Sequence, residues 1–191
     1  MAESIAAIAT AQAAASVGMI RVSGDDARAI CDRVFQAASG RKLADSPGYR
    51  AHYGWVADGA ERFDEAVALV FVAPHSYTGE DVVELTCHGG MHLVHRLLRA
   101  LLAAGARPAQ AGEFTRRAFL SGKMDLAQAE AVMDLIGAQG EGAARAAMAA
   151  REGTLGRHLE SVTGALTETA AWMAAWADFP EEDIPEIDRA S

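Results

Sequence analysis

The amino-acid sequence predicts an α+β fold: a mixed β-sheet with packed helices, followed by an α-helical segment. Three observations predict it. Val17–Ser23 and Val82–His88 alternate with the period of two that a half-buried strand requires. Ala27, Ile30, Cys31, Val34 and Phe35 follow the i, i+3, i+4, i+7, i+8 stripe of a core-facing helix, and Leu93, Val94, Leu97, Leu98 and Leu101 form a second stripe. Beyond residue 125 no strand period is left. The 191 residues suffice for one large domain, or for one domain with a helical appendage.

In chain order, Ser4–Thr10 is a short apolar segment that predicts a first strand. Residues 11–16 carry no turn residue and no period. Val17–Ser23 reads as a strand with Arg21 in its middle, and a buried guanidinium needs a partner; an arginine on an exposed sheet face explains the residue as well. Gly24-Asp-Asp26 opens a helix with Asp25 as the expected N-cap. Tyr49–Val56 and Phe63–Ala73 form a hairpin around Asp58-Gly59. Ala66–Val72 is apolar on both faces, which predicts a covered central strand. The hairpin makes the sheet mixed rather than purely parallel.

Val82–His88 places Val83, Leu85 and Cys87 on one face and Glu84, Thr86 and His88 on the other. An edge strand with a solvated face accounts for this pattern as readily as a site does. Met91–Ala104 is a helix ended by Gly105 at C′. Gly112–Ser121 is a further helix, with Phe114 and Phe119 as its expected apolar anchors. Asp125 caps the next helix, and Gln128 completes a capping box. Gly137, Gly140 and Gly142 weaken the middle of that helix by roughly 1 kcal/mol each relative to alanine. A last helix from Thr154 carries Leu155, Leu159, Val162, Leu166, Ala170 and Met173 in one stripe, with Trp172 and Trp176 expected to pack against another helix. Domains are therefore expected over residues 1–121 and 122–191, the second ending in an acidic tail.

The net charge of −9 is concentrated. Residues 178–188 hold six acids and no base, and setting those aside leaves −3. Between positions 96 and 123, Arg96, Arg99, Arg107, Arg116, Arg117 and Lys123 face only Glu113 as an acid. That suits an anionic ligand or RNA, and equally a solvated helix face. Cys31 and Cys87 cannot make a disulfide framework and are expected as buried free thiols. No run of eighteen apolar residues occurs, and Met1-Ala-Glu-Ser4 lacks a basic leader, so a cytoplasmic protein without a membrane span is expected. Gly122-Lys123 is followed by Met124 and fails as a phosphate-binding loop. His88, His92 and His95 have no carboxylate or thiolate to complete a metal set, and no nucleophile triad can be nominated.

At Thr78–Gly90 (Thr-Gly-Glu-Asp-Val-Val-Glu-Leu-Thr-Cys-His-Gly-Gly) the sequence resembles the bacterial tRNA modification GTPase family MnmE, also called TrmE. The resemblance extends to Met19-Ile-Arg-Val-Ser-Gly24, to Gly112–Ala131 and to Asp178-Phe-Pro-Glu-Glu-Asp-Ile184, in the family's order. It implies that residues 1–121 are a folate-binding, homodimerising unit similar to the tetrahydrofolate domain of aminomethyltransferases. Residues 122–191 would be the first half of a helical domain. The implied ligand is 5-formyltetrahydrofolate, standing for a one-carbon folate such as 5,10-methylenetetrahydrofolate. With the flavin-dependent partner MnmG, the family installs a carboxymethylaminomethyl or aminomethyl group on C5 of the wobble uridine of certain tRNAs.

Carried over by motif, the folate contacts are Arg21, Glu84 and Lys123. A carboxylate can accept the two parallel donors of a pterin edge as it accepts a guanidinium, and cations suit the folate's carboxylate tail. Two departures stand out: Ala11–Ser16 replaces a glycine-rich, arginine-bearing loop, and Ala111 replaces a proline. The loop change predicts reduced folate affinity, and its extreme is the alternative reading, a non-catalytic dimerisation or interaction module with a decayed folate site. The chain stops at Ser191 before any GTPase domain, so the expectation is that it hydrolyses no GTP by itself. GTP, potassium and magnesium would then belong to the domain it lacks.

Overall fold

The computed structural model describes residues 3–178. The acidic tail and the last block of the resemblance, from residue 179 on, lie outside the described residues, as does the side chain of Leu155. The chain divides into two units at the Met124–Asp125 junction. This is a few residues past the expected boundary at 121, because the Lys123 N–H closes the preceding helix on Ala118 O at 2.9 Å.

The first unit is a seven-stranded mixed sheet in the order β3-β4-β5-β6-β2-β1-β7. Its strands are β1 (Ile5–Ile8), β2 (Val17–Ser23), β3 (Phe35–Ala37), β4 (Arg50–Asp58), β5 (Glu61–Phe71), β6 (Val82–His88) and β7 (Arg107–Pro108). All pairs are antiparallel except β1 with β7. Its helices are α1 (Ala27–Val34), α2 (Met91–Ala103) and α3 (Glu113–Leu120). Ile20, Val22, Ala68, Val70, Val83 and Leu85 fill one sheet face and join Ile30, Cys31 and Val34 of α1 and Val94, Leu97 and Leu101 of α2 in one core. Removing such side chains from water is the main stabilising term.

Several local expectations are corrected. Phe35 starts β3 instead of closing the helix stripe, with its backbone paired to Val56. The N-cap of α1 is Asp26, not Asp25; its side chain makes no cap bond, and its N–H donates to Ser4 Oγ at 3.2 Å. The β5 strand is covered on one face only: Ala66, Ala68 and Val70 are buried, while Val67 is exposed. In α3 the buried positions are Glu113 and Ala118, whereas Phe119 is exposed.

The second unit holds α4 (Leu126–Gly137), α5 (Glu141–Arg151) and α6 (Thr154–Asp178). The Asp125/Gln128 capping box forms as expected, with Gln128 N–H to Asp125 Oδ1 at 2.8 Å and Asp125 N–H to Gln128 Oε1 at 2.9 Å. One glycine-weakened helix was expected, but the segment is two helices. Ala138 leaves the helix with extended backbone, and Gly140 takes φ 138°, so the chain breaks rather than bends. The α6 stripe is exposed at Leu159, Val162, Leu166 and Met173. Trp172 and Trp176 stack on each other, with ring centroids 6.3 Å apart. No helix among the described residues is long and apolar enough to cross a membrane.

Candidate functional site

The core residues of β2 and β6 point to α1 and α2, so Arg21 and Glu84 stand on the opposite sheet face. They are direct cross-strand partners in the β2–β6 register. Arg21 Nε and Nη2 reach the same carboxylate oxygen, Glu84 Oε1, at 2.8 and 2.7 Å. Among the described residues no hydrogen bond reaches Glu84 Oε2. The guanidinium is flanked by two rings, with its carbon 5.3 Å from the Tyr77 centroid and 5.6 Å from that of Phe114. Tyr77 is steadied in turn by Thr115, hydroxyl to hydroxyl at 2.9 Å.

Arg21, Tyr77 and Glu84 line a cleft of about 280 Å³ with Tyr49, Phe71, His75, Ser76, Val82 and Lys123. Lys123 is exposed, and its Nζ donates to Pro74 O at 3.1 Å, which holds the cation over the 74–77 loop. The loop is anchored below by hydroxyls. Ser23 Oγ donates to Glu80 Oε2 at 2.7 Å and lies 2.7 Å from Thr78 Oγ1, while Ser121 Oγ donates to Thr78 O at 2.5 Å. Gly79 has φ 80°, and a Cβ there would meet Ser121 Oγ at 2.8 Å, so the close approach requires glycine.

Arg21, Glu84 and Lys123, singled out from the sequence, thus lie around one cleft. Tyr49, Phe71, His75 and Tyr77 were not singled out. The aromatic pairs sit on segments far apart in sequence, so no local pattern marks them. Tyr49 carried one signal, its position directly after Pro47-Gly48. It is the single non-glycine residue with positive φ (58°) among the described residues. Such backbone costs an L-residue about 1–2 kcal/mol.

The loop over residues 11–16 lies elsewhere. Ala15 N–H donates to Gly89 O and Gly89 N–H to Ser16 O, at 3.3 and 3.2 Å, beside the far ends of β2 and β6. It lines no part of the Arg21 cleft, from which it is separated by about 13 Å of strand at the usual rise per residue.

Three of the six cations of the expected basic segment, Arg96, Arg107 and Arg117, are paired with carboxylates. Arg107 Nη2 and Arg117 Nη2 bind Glu113 Oε1 at 2.6 and 3.3 Å, Arg117 also binds Glu80, and Arg96 binds Glu61. The hydrogen bonds from Arg107, then the Gln110 N–H and Arg117, hold the buried Glu113 carboxyl down to about 2. A recess of about 400 Å³ beside this cluster, reached by Arg116 and Leu120, has its Glu80 and Glu113 carboxylates fully engaged. His88 closes β6 and binds Asp64 Oδ1 through Nδ1 at 2.6 Å, which raises the imidazole pKa. No group of three or more metal-ligating side chains occurs among the described residues.

Comparison with known proteins agrees with this architecture. Residues 4–123 match the family model described as GTP-binding protein TrmE N-terminus, and residues 126–191 match the MnmE helical domain. The chain belongs to the MnmE (TrmE) family. The tRNA modification GTPase MnmE of Symbiobacterium thermophilum is 49% identical over 95% of the chain and 40% of its own length. Those of Alkaliphilus metalliredigens and Geobacter sulfurreducens are 46% and 48% identical, over 97% and 95% of the chain and 41% and 40% of their own lengths. The chain thus spans about two fifths of the length of these MnmE relatives.

Proposed function

We propose that this chain is the folate-binding and dimerisation part of a tRNA-modifying GTPase, joined to the first half of its helical domain. The observation that carries the reading is the half-used carboxylate of Glu84. Arg21 takes Oε1 alone, so Oε2 is open to the cleft from a rigid strand. A pterin edge, with its 2-amino and N3 donors in parallel, matches that acceptor. Lys123, at the rim, offers a cation to the folate's carboxylate tail. Arg21 acts through Glu84, holding the carboxylate in orientation, so the sequence-based idea that Arg21 counters the tail gives way to a supporting role.

Bound there as 5-formyltetrahydrofolate or 5,10-methylenetetrahydrofolate, the cofactor would supply a one-carbon unit. The relatives' name, tRNA modification GTPase MnmE, supports tRNA as the substrate class; the wider reading, carried by the family resemblance alone, is a cytoplasmic homodimer that acts with MnmG on the wobble uridine. GTP, potassium and magnesium are assigned to a GTPase domain outside this chain.

Calorimetric titration of 5-formyltetrahydrofolate into the purified chain tests the reading. Saturable heat is expected, and Glu84→Ala should abolish it while the melting temperature holds. A folded, dimeric chain that gives no heat at high micromolar folate would favour the dimerisation or interaction module instead.

A further inference from the structure

We propose that Tyr49 is a specificity-determining residue of the Arg21–Glu84 cleft, its ring forming the wall on which a flat conjugated ring of the ligand stacks. The inference rests on the folate reading above and adds a recognition element to it. Three observations on one residue carry it. Tyr49 occupies left-handed backbone, at φ 58°, that bulky side chains avoid and that glycine would adopt without penalty. Its conformation is held by its own N–H, which donates to Val70 O at 2.7 Å. The residue is nonetheless 66% exposed, and it lines the cleft.

A strained backbone is ordinarily compensated by what the side chain buries, and here the ring buries little. Its one aromatic neighbour among the described residues is Phe71, met edge-on with centroids 5.7 Å apart and planes at 84°. That contact fixes the ring's orientation and leaves much of its surface bare. The compensation is supplied by a ligand. A planar ring entering toward Glu84 finds Tyr49 as an apolar surface with a fixed tilt, which favours offset or edge-to-face contact with an aromatic system. The Phe71 contact also lowers the entropy lost on binding, because it restricts the ring before the ligand arrives.

Titrating 5-formyltetrahydrofolate into the full chain and into Tyr49→Phe, Tyr49→Gly and Glu84→Ala decides the matter. Tyr49→Phe keeps the ring and should bind within about twofold of the parent, whereas Tyr49→Gly should weaken binding roughly five- to tenfold. The Tyr49→Gly melting temperature should equal or exceed the parent's, since glycine relieves the backbone. Loss of affinity with gain of stability is an outcome that a purely structural tyrosine would not produce. Should Tyr49→Gly fail to fold, Tyr49→Asn, which tolerates left-handed backbone, takes its place with the same expectation.

Unchanged folate affinity in Tyr49→Gly, with binding lost in Glu84→Ala, overturns the role of Tyr49 and leaves the folate reading intact. Equal losses in the phenylalanine and glycine variants overturn it as well, since the ring would then contribute nothing. A parent chain that binds no folate overturns both.

Discussion

Two clusters of arginine and glutamate lie in the sheet unit, and they differ in how completely their acceptors are used. Around Glu113 every carboxylate oxygen is taken: Arg107 binds both oxygens, Arg117 one, and the Gln110 N–H donates to Oε2 at 2.7 Å. Around Glu84 the partnership is one-sided, since both arginine nitrogens converge on Oε1. The first cluster is closed on itself, and its charges do the work of joining α3 to β7 and to the 76–81 loop. The second leaves an acceptor facing a cleft walled by aromatic rings. Saturation marks scaffold, and an unfilled acceptor beside a cleft marks a site.

The comparison breaks most sharply at Glu113. Glu113→Ala removes the acceptor of two guanidiniums in a largely buried position, and about 2–3 kcal/mol of stability should be lost in a denaturant titration. If Glu113→Ala instead abolished folate binding with no loss of stability, the division into scaffold and site would fail. Acid titration probes the same cluster without mutation. The folded Glu113 carboxyl titrates near 2, below its ordinary 4.5. Its contribution is therefore present above 4.5 and lost as pH falls through about 2. The acid unfolding of Glu113→Ala should be correspondingly shallower across that window. At Glu84 the stability effect should be smallest. Its pair with Arg21 keeps side-chain exposures of 25% and 16% and uses one carboxylate oxygen only, so Glu84→Ala should cost about 1 kcal/mol. A larger cost would make Glu84 part of the scaffold.

Much of the sheet unit was legible in the sequence. The strands β2 and β6 announce themselves by alternation, and their antiparallel register then makes Arg21 and Glu84 neighbours. The capping box of α4 is likewise written in the residues Asp125 and Gln128. What escaped was whatever depends on tertiary context. The strands β3 and β7 are too short to show a period. Apart from Glu113, the carboxylates that pair with the 96–123 segment come from remote positions, Glu3 lying 104 residues from Arg107 and Glu80 37 residues from Arg117. The exposed face of β5 reads as apolar as the buried one, because burial of Ala66 and Ala68 and exposure of Val67 depend on where the helices lie. At the site, the charged residues were visible and the aromatic walls were not. A tyrosine in a loop has many uses, and only its backbone angle set Tyr49 apart.

The pairing of β1 with β7 has a consequence for how the unit is made. Ile5 aligns with Arg107, Arg107 Nε grips Glu3 at 2.9 Å, and Arg117 Nη2 donates to Glu3 O at 2.8 Å. One end of the unit is thus hydrogen-bonded to segments synthesised more than a hundred residues later. On a ribosome, β1 can pair with β2 early, but its outer edge stays open until residues 107–117 emerge. Such long-range closure is slow because the chain must be ordered before the contacts reward it. Lys123, a few residues beyond, is synthesised only after the residues that form that clasp. The Arg21–Glu84 cleft therefore lacks its last lining residue, Lys123, until the strands of the sheet have all been synthesised.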